Sequence, residues 1–201
     1  MTLAPSPVWK GSTAQGPIRR FTVDEYHRMI QVGILEEDDP VELLEGLIVY
    51  KTTRHPPHDV AVALAGKILG RLLPDGWHVR QQSAITTDDS EPEPDIAIVR
   101  GDERLYRDRH PGRGDVAVVI EVADTSLARD RLDKARLYAR AGIAVYWIVN
   151  LIDGWIEVYA SPSASGSMAG YGSHVDFKRG QSLPLEIGGR QLTLRVDDLL
   201  P

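Results

Sequence analysis

The stretch VAVVIEVA, residues 116 to 123, is apolar at every position except Glu121. So continuous a run, rich in β-branched residues and without alternating polar side chains, predicts a central strand covered on both faces. Such a cover is normally made by helices, and helical patterns flank the run on both sides. Downstream, the spacing predicts a helix from about Leu127 to Ala141, closed by Gly142, which suits a left-handed cap. AVYWIVN (144–150) and GWIEVYA (154–160) then read as a strand hairpin turning at Asp153 and Gly154. Upstream, strands are predicted for Trp77 to Ile85 and for Asp95 to Val99. Before them Leu64, Ile68 and Leu72 mark an amphipathic helix that starts after the HPPH segment (55–58) and ends before Pro74.

Farther out the signals are more local. Thr22 and Glu25 have the spacing of a capping box, opening a short helix through Tyr26, Met29 and Ile30 to about Val32, with Gly33 as its stop. VELLEGLIVYK (41–51), with Gly46 at its centre, reads as a strand pair or a bent strand. SPSASGSMAGYGS (161–173) is a flexible loop by composition, and a polar hairpin carrying Leu192 and Leu194 closes the chain. Residues 1–17, rich in Pro, Ser, Gly and Thr, are expected to form a flexible leader. Residues 18–201 are expected to form one domain, since 201 residues with 42% hydrophobic content suffice for one core. The order of elements implies an α/β protein, a mixed sheet flanked by helices.

Composition excludes some classes of function. A net charge of −6 and a pI near 5.5 argue against binding nucleic acid by bulk electrostatics, so any such contact must be local. Without cysteine there is no disulfide framework and no thiolate metal site. The first residues lack the apolar core of a signal peptide, and no apolar run approaches the roughly 20 residues that span a bilayer. The expectation is a cytoplasmic protein without membrane association.

Three residues resist a bland explanation. Burying the Glu121 carboxylate in an apolar strand costs on the order of several kcal/mol unless it is paired or binds a cation. Asp95, after Pro94, opens a strand; its plainer role is a strand-start cap. Lys134 and Asp130 interrupt the core-facing stripe of the helix on which Leu127, Leu137, Tyr138 and Ala141 lie, while Arg129, Arg136 and Arg140 fall on the far side. An i, i+4 ion pair between Asp130 and Lys134 explains the pairing but not the placement. A lysine aimed at the strand of Glu121 can instead neutralise charge developing on a phosphate.

PD at 94–95, IEVADTS at 120–126, then Asp130, Lys134 and Tyr138, and AGIAVYWIVN at 141–150 resemble the restriction-endonuclease-like (Uma-type) family of the PD-(D/E)XK nuclease superfamily. The resemblance runs from Thr22 to Tyr159 and takes in VELLEG (41–46), His58 and Gln82. In the parent superfamily a lysine stands two residues after the strand glutamate, where this chain has Ala123. Lys134 matches the position to which the lysine has moved in this family.

The resemblance implies an αβββαβ core in which Asp95, Glu121 and the backbone carbonyl of Val122 bind Mg²⁺, with Mn²⁺ as a substitute, and Asp95, Glu121 and Lys134 are catalytic. It implies accessory positions at Glu42, His58 and Gln82, and DNA as substrate. Two carboxylates and a carbonyl suit such a hard cation.

Other features have simpler readings. Loop histidines such as His55 and His58 are usually solvated or cap a helix. A strand glutamine such as Gln82 more often faces solvent. The arginines of the 100–115 loop are nearly cancelled by its acids. Tyr146 and Trp147 suit core or a dimer surface better than base stacking. The apolar pair 144–150 and 154–160, placed near a sheet edge, predicts a homodimer that covers it. A catalytically inactive interaction module and a phosphoesterase acting on small nucleotides are the competing functions.

Overall fold

The computed structural model describes residues 16–36, 38–163 and 169–201, so nearly all of the expected leader lies outside the described residues. The capping box closes as its spacing predicts: the Thr22 hydroxyl accepts from the Glu25 N–H at 3.1 Å, and the Glu25 carboxylate from the Thr22 N–H at 3.0 Å. It starts α1 (Val23–Gln31). An antiparallel hairpin follows, β1 (Val41–Leu44) with β2 (Leu47–Tyr50). Helix α2 (Pro56–Leu72) opens on two prolines, where the missing N–H groups have no helical partner to lose.

Next come β3 (Trp77–Gln81), β4 (Ile96–Arg100) and β5 (Val116–Ala123), then a helical stretch in three parts. These are α3 (Leu127–Arg129), a π-helical turn (Asp130–Lys134) and α4 (Ala135–Arg140). Gly142 caps α4 at φ +76°, with the Ile143 N–H reaching back to the Tyr138 carbonyl at 3.0 Å. The chain then runs through β6 (Val145–Asn150), β7 (Trp155–Ser163), β8 (Gly170–Lys178), β9 (Ser182–Ile187), β10 (Arg190–Arg195) and α5 (Val196–Leu199). From α2 to β6 the order is αβββαβ, as expected.

Six strands form one sheet in the order β3-β4-β5-β6-β7-β8. Within it only β5 and β6 are parallel, and the α3–α4 stretch is the crossover that a parallel pair requires. Alternation along β5 sends Val118, Ile120 and Val122 to one face, against Ala61, Ala65 and Leu69 of α2 and the inner leucines of β9 and β10. It sends Val119, Glu121 and Ala123 to the other face, where Leu127, Leu137 and Tyr138 pack. The strand is therefore buried on both sides, and Glu121 faces the crossover helix.

Four expectations need correction. The segment 161–173 is not all loop: β7 runs to Ser163 and β8 starts at Gly170, with Pro162 paired to Tyr171, so cross-strand pairing overrides a loop-like composition. The strand from Trp77 ends at Gln81 rather than Ile85, because Gln82 takes a left-handed φ of +48° that leaves the ladder. The apolar pair 144–150 and 154–160 does not form the sheet edge. Strand β8 pairs with β7 along its length, and Tyr146 and Trp147 are fully buried in β6, so the apolar pair is covered within one chain. The closing hairpin is also less polar than expected, since Leu183, Leu185, Ile187, Leu192 and Leu194 alternate inward.

Candidate active site

Asp95 stands at the residue before β4, at the end of the sheet beside β5. Its Oδ2 accepts from the Val122 N–H at 2.9 Å and meets His58 Nε2 at 3.0 Å, whereas Oδ1 carries no hydrogen bond among the described residues. The second carboxylate is one strand over. Glu121 Oε2 faces the Asp95 N–H at 3.4 Å, and its Oε1 accepts from Lys134 Nζ at 2.8 Å and from the Tyr138 hydroxyl at 2.6 Å. Burial pushes the Glu121 carboxyl up to about 8, aided by Asp95 and Asp130 and opposed by Lys134. Lys134 remains an ammonium: burial disfavours its charge, but Glu121, Glu42 and Asp130 together raise its pKa.

The π turn explains how Lys134 arrives there. Its wider winding puts both Asp130 and Lys134 inside, at 3% and 6% exposure, while Leu132 between them stays out at 70%. The two do not form an i, i+4 ion pair. Lys134 instead bridges Glu121 and Glu42, the latter at 3.4 Å, and the Asp130 carboxylate accepts from the Ser126 hydroxyl at 2.6 Å. Burial lifts the Asp130 carboxyl to about 6.

Glu42 belongs to the same cluster. Arg129 donates to its Oε1 at 2.8 Å, and the Glu93 N–H to its Oε2 at 3.1 Å. His58 is buried near the start of α2. Burial disfavours its cation, yet the hydrogen bond and charge of Asp95 outweigh that, and its pKa is raised. Gln82 is the exception among the expected residues. It does not line this cavity; its backbone N–H donates to the Asp95 carbonyl at 3.0 Å, and its side chain lies along neighbouring grooves. His55 is exposed at the helix start.

Glu42, His58, Asp95, Glu121, Val122, Asp130 and Lys134 thus line one cavity of about 50 Å³. That is room for a cation with a water or two. Six acids line it against four basic side chains, Lys51, Arg54, Arg129 and Lys134. The excess of negative charge is what a divalent ion would balance.

Some of these partners leave little trace in the sequence. Arg129, Arg136 and Arg140, which periodicity puts on a far face, bind Glu42, Glu45 and Asp89 and so clamp the crossover helix to the β1–β2 hairpin and the 89–90 turn. The signal for Asp130 is present in its break of the apolar stripe. Ser126 gives none.

A model of the Uma2 family, described as "Putative restriction endonuclease", matches residues 23–197. The chain belongs to that family. Its fold is also similar to a solved structure described as "a putative nuclease belonging to DUF820 from Anabaena variabilis", with a TM-score of 0.63 and 16% identity over 91% of this chain and 97% of that one. No curated protein matches. The Uma2 chain is therefore nuclease-like in family and fold.

A second acid–histidine group lies apart from this cavity. Glu157, His174 and Asp176 bring ligand atoms within 4.8 Å of one another. Glu157, however, is already held by Arg131 through two bonds at 3.0 and 2.5 Å, by Asn150 and by Tyr159. A guanidinium occupies the position a cation would want. Among the described residues no helix is long and apolar enough to cross a membrane.

Proposed function

We propose that this chain is a metal-dependent endonuclease that hydrolyses phosphodiester bonds of DNA, with Asp95, Glu121 and Lys134 as its catalytic residues. One observation carries the reading: three side chains from a strand start, a strand interior and a helix stripe meet in one cavity with an excess of carboxylates. No common packing role accounts for all three.

The donor set fits a hard divalent ion. Asp95 has one oxygen without a hydrogen bond among the described residues, Glu121 stands beside it, and Val122 lines the same wall, so Asp95, Glu121 and the Val122 carbonyl would hold Mg²⁺ or Mn²⁺. When bound, the ion supplies Lewis acidity at a phosphoryl oxygen and lowers the pKa of water. The protein supplies orientation. His58 and the Val122 N–H fix the Asp95 carboxylate by its other oxygen, and the π turn holds the Lys134 ammonium where charge develops on phosphate. Glu42 and Tyr138 restrain Lys134 and Glu121, and Gln82 serves outside the cavity.

All of these groups come from one chain, so the reading needs no homodimer. It takes residues 18–201 as a single domain working in the cytoplasm. Calorimetric titration of Mg²⁺ and Mn²⁺ tests the metal site. Binding to the wild type and its loss in Glu121→Gln are expected, and affinity unchanged by that substitution would remove the site.

A further inference from the structure

Most basic side chains of this acidic protein are neutralised. Lys51 pairs with Glu93, Arg107 with Asp108, Arg109 with Asp115, and the crossover arginines with the hairpin acids. Arg54 and Lys67 are among those that are not. Both are exposed, and among the described residues neither has a hydrogen-bonding or acidic partner. Both line one groove of about 770 Å³ along α2, together with Gln81, Gln82, the exposed Ala63 and the half-buried Gly66.

This groove leads out of the acidic cavity. Arg54 lines both, and its charge is felt by His58, the residue bonded to Asp95. The side-chain amide of Gln82 has no partner among the described residues, and its backbone is held at φ +48°, in the left-handed region. Gly66 keeps the floor low: a Cβ there would lie 2.1 Å from Gln81 Nε2, which donates to the Val62 carbonyl at 3.1 Å. The acid on the groove, Asp59, leans to His58 Nδ1 at 3.5 Å. From Pro56 to Lys67 the helix rises about 16 Å. Four to five nucleotides of a duplex strand rise about as far, at roughly 3.4 Å each.

We infer that the α2 groove is the track for the sugar–phosphate backbone on one side of the scissile bond, with Arg54 on a phosphate beside the cavity, Lys67 on one about four to five nucleotides farther along, and the Gln82 amide lining the track between them. This rests on the nuclease reading and adds the direction in which the strand leaves the site. It also reconciles a net charge of −6 with a polyanionic substrate, because Arg54 stands at the cavity mouth and Lys67 farther along the groove, both unneutralised. Recognition of backbone alone makes the interaction independent of sequence.

Fluorescence anisotropy of a labelled oligonucleotide, single-stranded and duplex, tests this with Ca²⁺ replacing Mg²⁺ and salt varied. The double variant Arg54→Ala/Lys67→Ala should bind more weakly, and its log–log salt slope on duplex should fall by about 1.8, at roughly 0.9 for each phosphate no longer neutralised. Arg28→Ala/Arg190→Ala removes two exposed cations outside the groove and should leave the slope unchanged. A wild type that cleaves DNA while the Arg54/Lys67 variant keeps its full slope overturns the track alone. A wild type that neither binds nor cleaves overturns the track and the nuclease reading together.

Discussion

Lys134 Nζ lies 2.8 Å from Glu121 Oε1 and 3.4 Å from Glu42 Oε2, so one buried ammonium serves two buried carboxylates. Removing it leaves the buried Glu121 without its charge partner, while Glu42 keeps Arg129. Lys134→Ala should therefore destabilise the protein by about 3–5 kcal/mol, the usual cost of breaking a buried pair from one side. Urea unfolding at about pH 9, above the Glu121 pKa of about 8, measures it. A loss below about 1 kcal/mol would mean that Glu121 is neutral or otherwise satisfied.

Glu121 also links stability to pH. Its carboxyl titrates near 8 in the folded protein and near 4.5 when unfolded, and that of Asp130 near 6 rather than 3.8. Between these values the folded state holds more protons than the unfolded one, so stability of the metal-free protein should fall as pH rises from about 4.5 to 8. The raised His58 adds a slope of the same sign. Thermal melts in a chelating buffer should show the decline, and Glu121→Gln should flatten it. A curve rising through this window would contradict the assignment.

Metal binding should oppose that trend. A divalent ion needs the deprotonated carboxylates, so its affinity should weaken as pH falls below about 8, by up to about tenfold per unit for one displaced proton. Mg²⁺ should raise the melting temperature at about pH 8 far more than at about pH 6. Equal shifts at both would show that the ion binds elsewhere.

Glu157 offers the control. Its carboxylate is fully buried, and although burial opposes the charge, the bonds from Arg131, Tyr159 and Asn150 pull its pKa down to about 2. Its stabilising effect is thus present above about 4.5 and lost as pH falls towards 2. Glu157→Ala should cost roughly 1–3 kcal/mol, since it removes hydrogen bonds to Tyr159 and Asn150 while Arg131, partly exposed, keeps water and Asp153. Mg²⁺ affinity should be unaltered. A variant that folds but no longer binds the ion would transfer the metal site to the Glu157–His174–Asp176 group.

How much of this is legible in the residues depends on whether the signal is local. VAVVIEVA announces a central strand because burial on both faces leaves no room for alternation, and Glu121 stands out against it. Lys134 is equally visible as a break in an apolar stripe. The π turn is not, because helical periodicity assumes a fixed angle per residue and Asp130–Lys134 departs from it. Arg129 escapes notice because its partner Glu42 lies 87 residues away, on a hairpin whose docking no local pattern records. Gln82 sits one step farther from the chemistry than its residue type suggests, because the positive φ that takes it into the neighbouring grooves is invisible in the sequence. The β8 cover is hidden for a similar reason, since glycine and serine read as loop until a partner strand is known.

The most direct test of the site is cleavage of supercoiled plasmid by the purified chain with Mg²⁺ or Mn²⁺, beside Glu121→Ala at equal concentration. Conversion to nicked or linear DNA by the wild type, abolished by chelation and by the substitution, is the predicted result. Cleavage that persists undiminished in Glu121→Ala, or a folded, metal-binding wild type that leaves the plasmid intact, would contradict the assignment of this cavity as a nuclease centre.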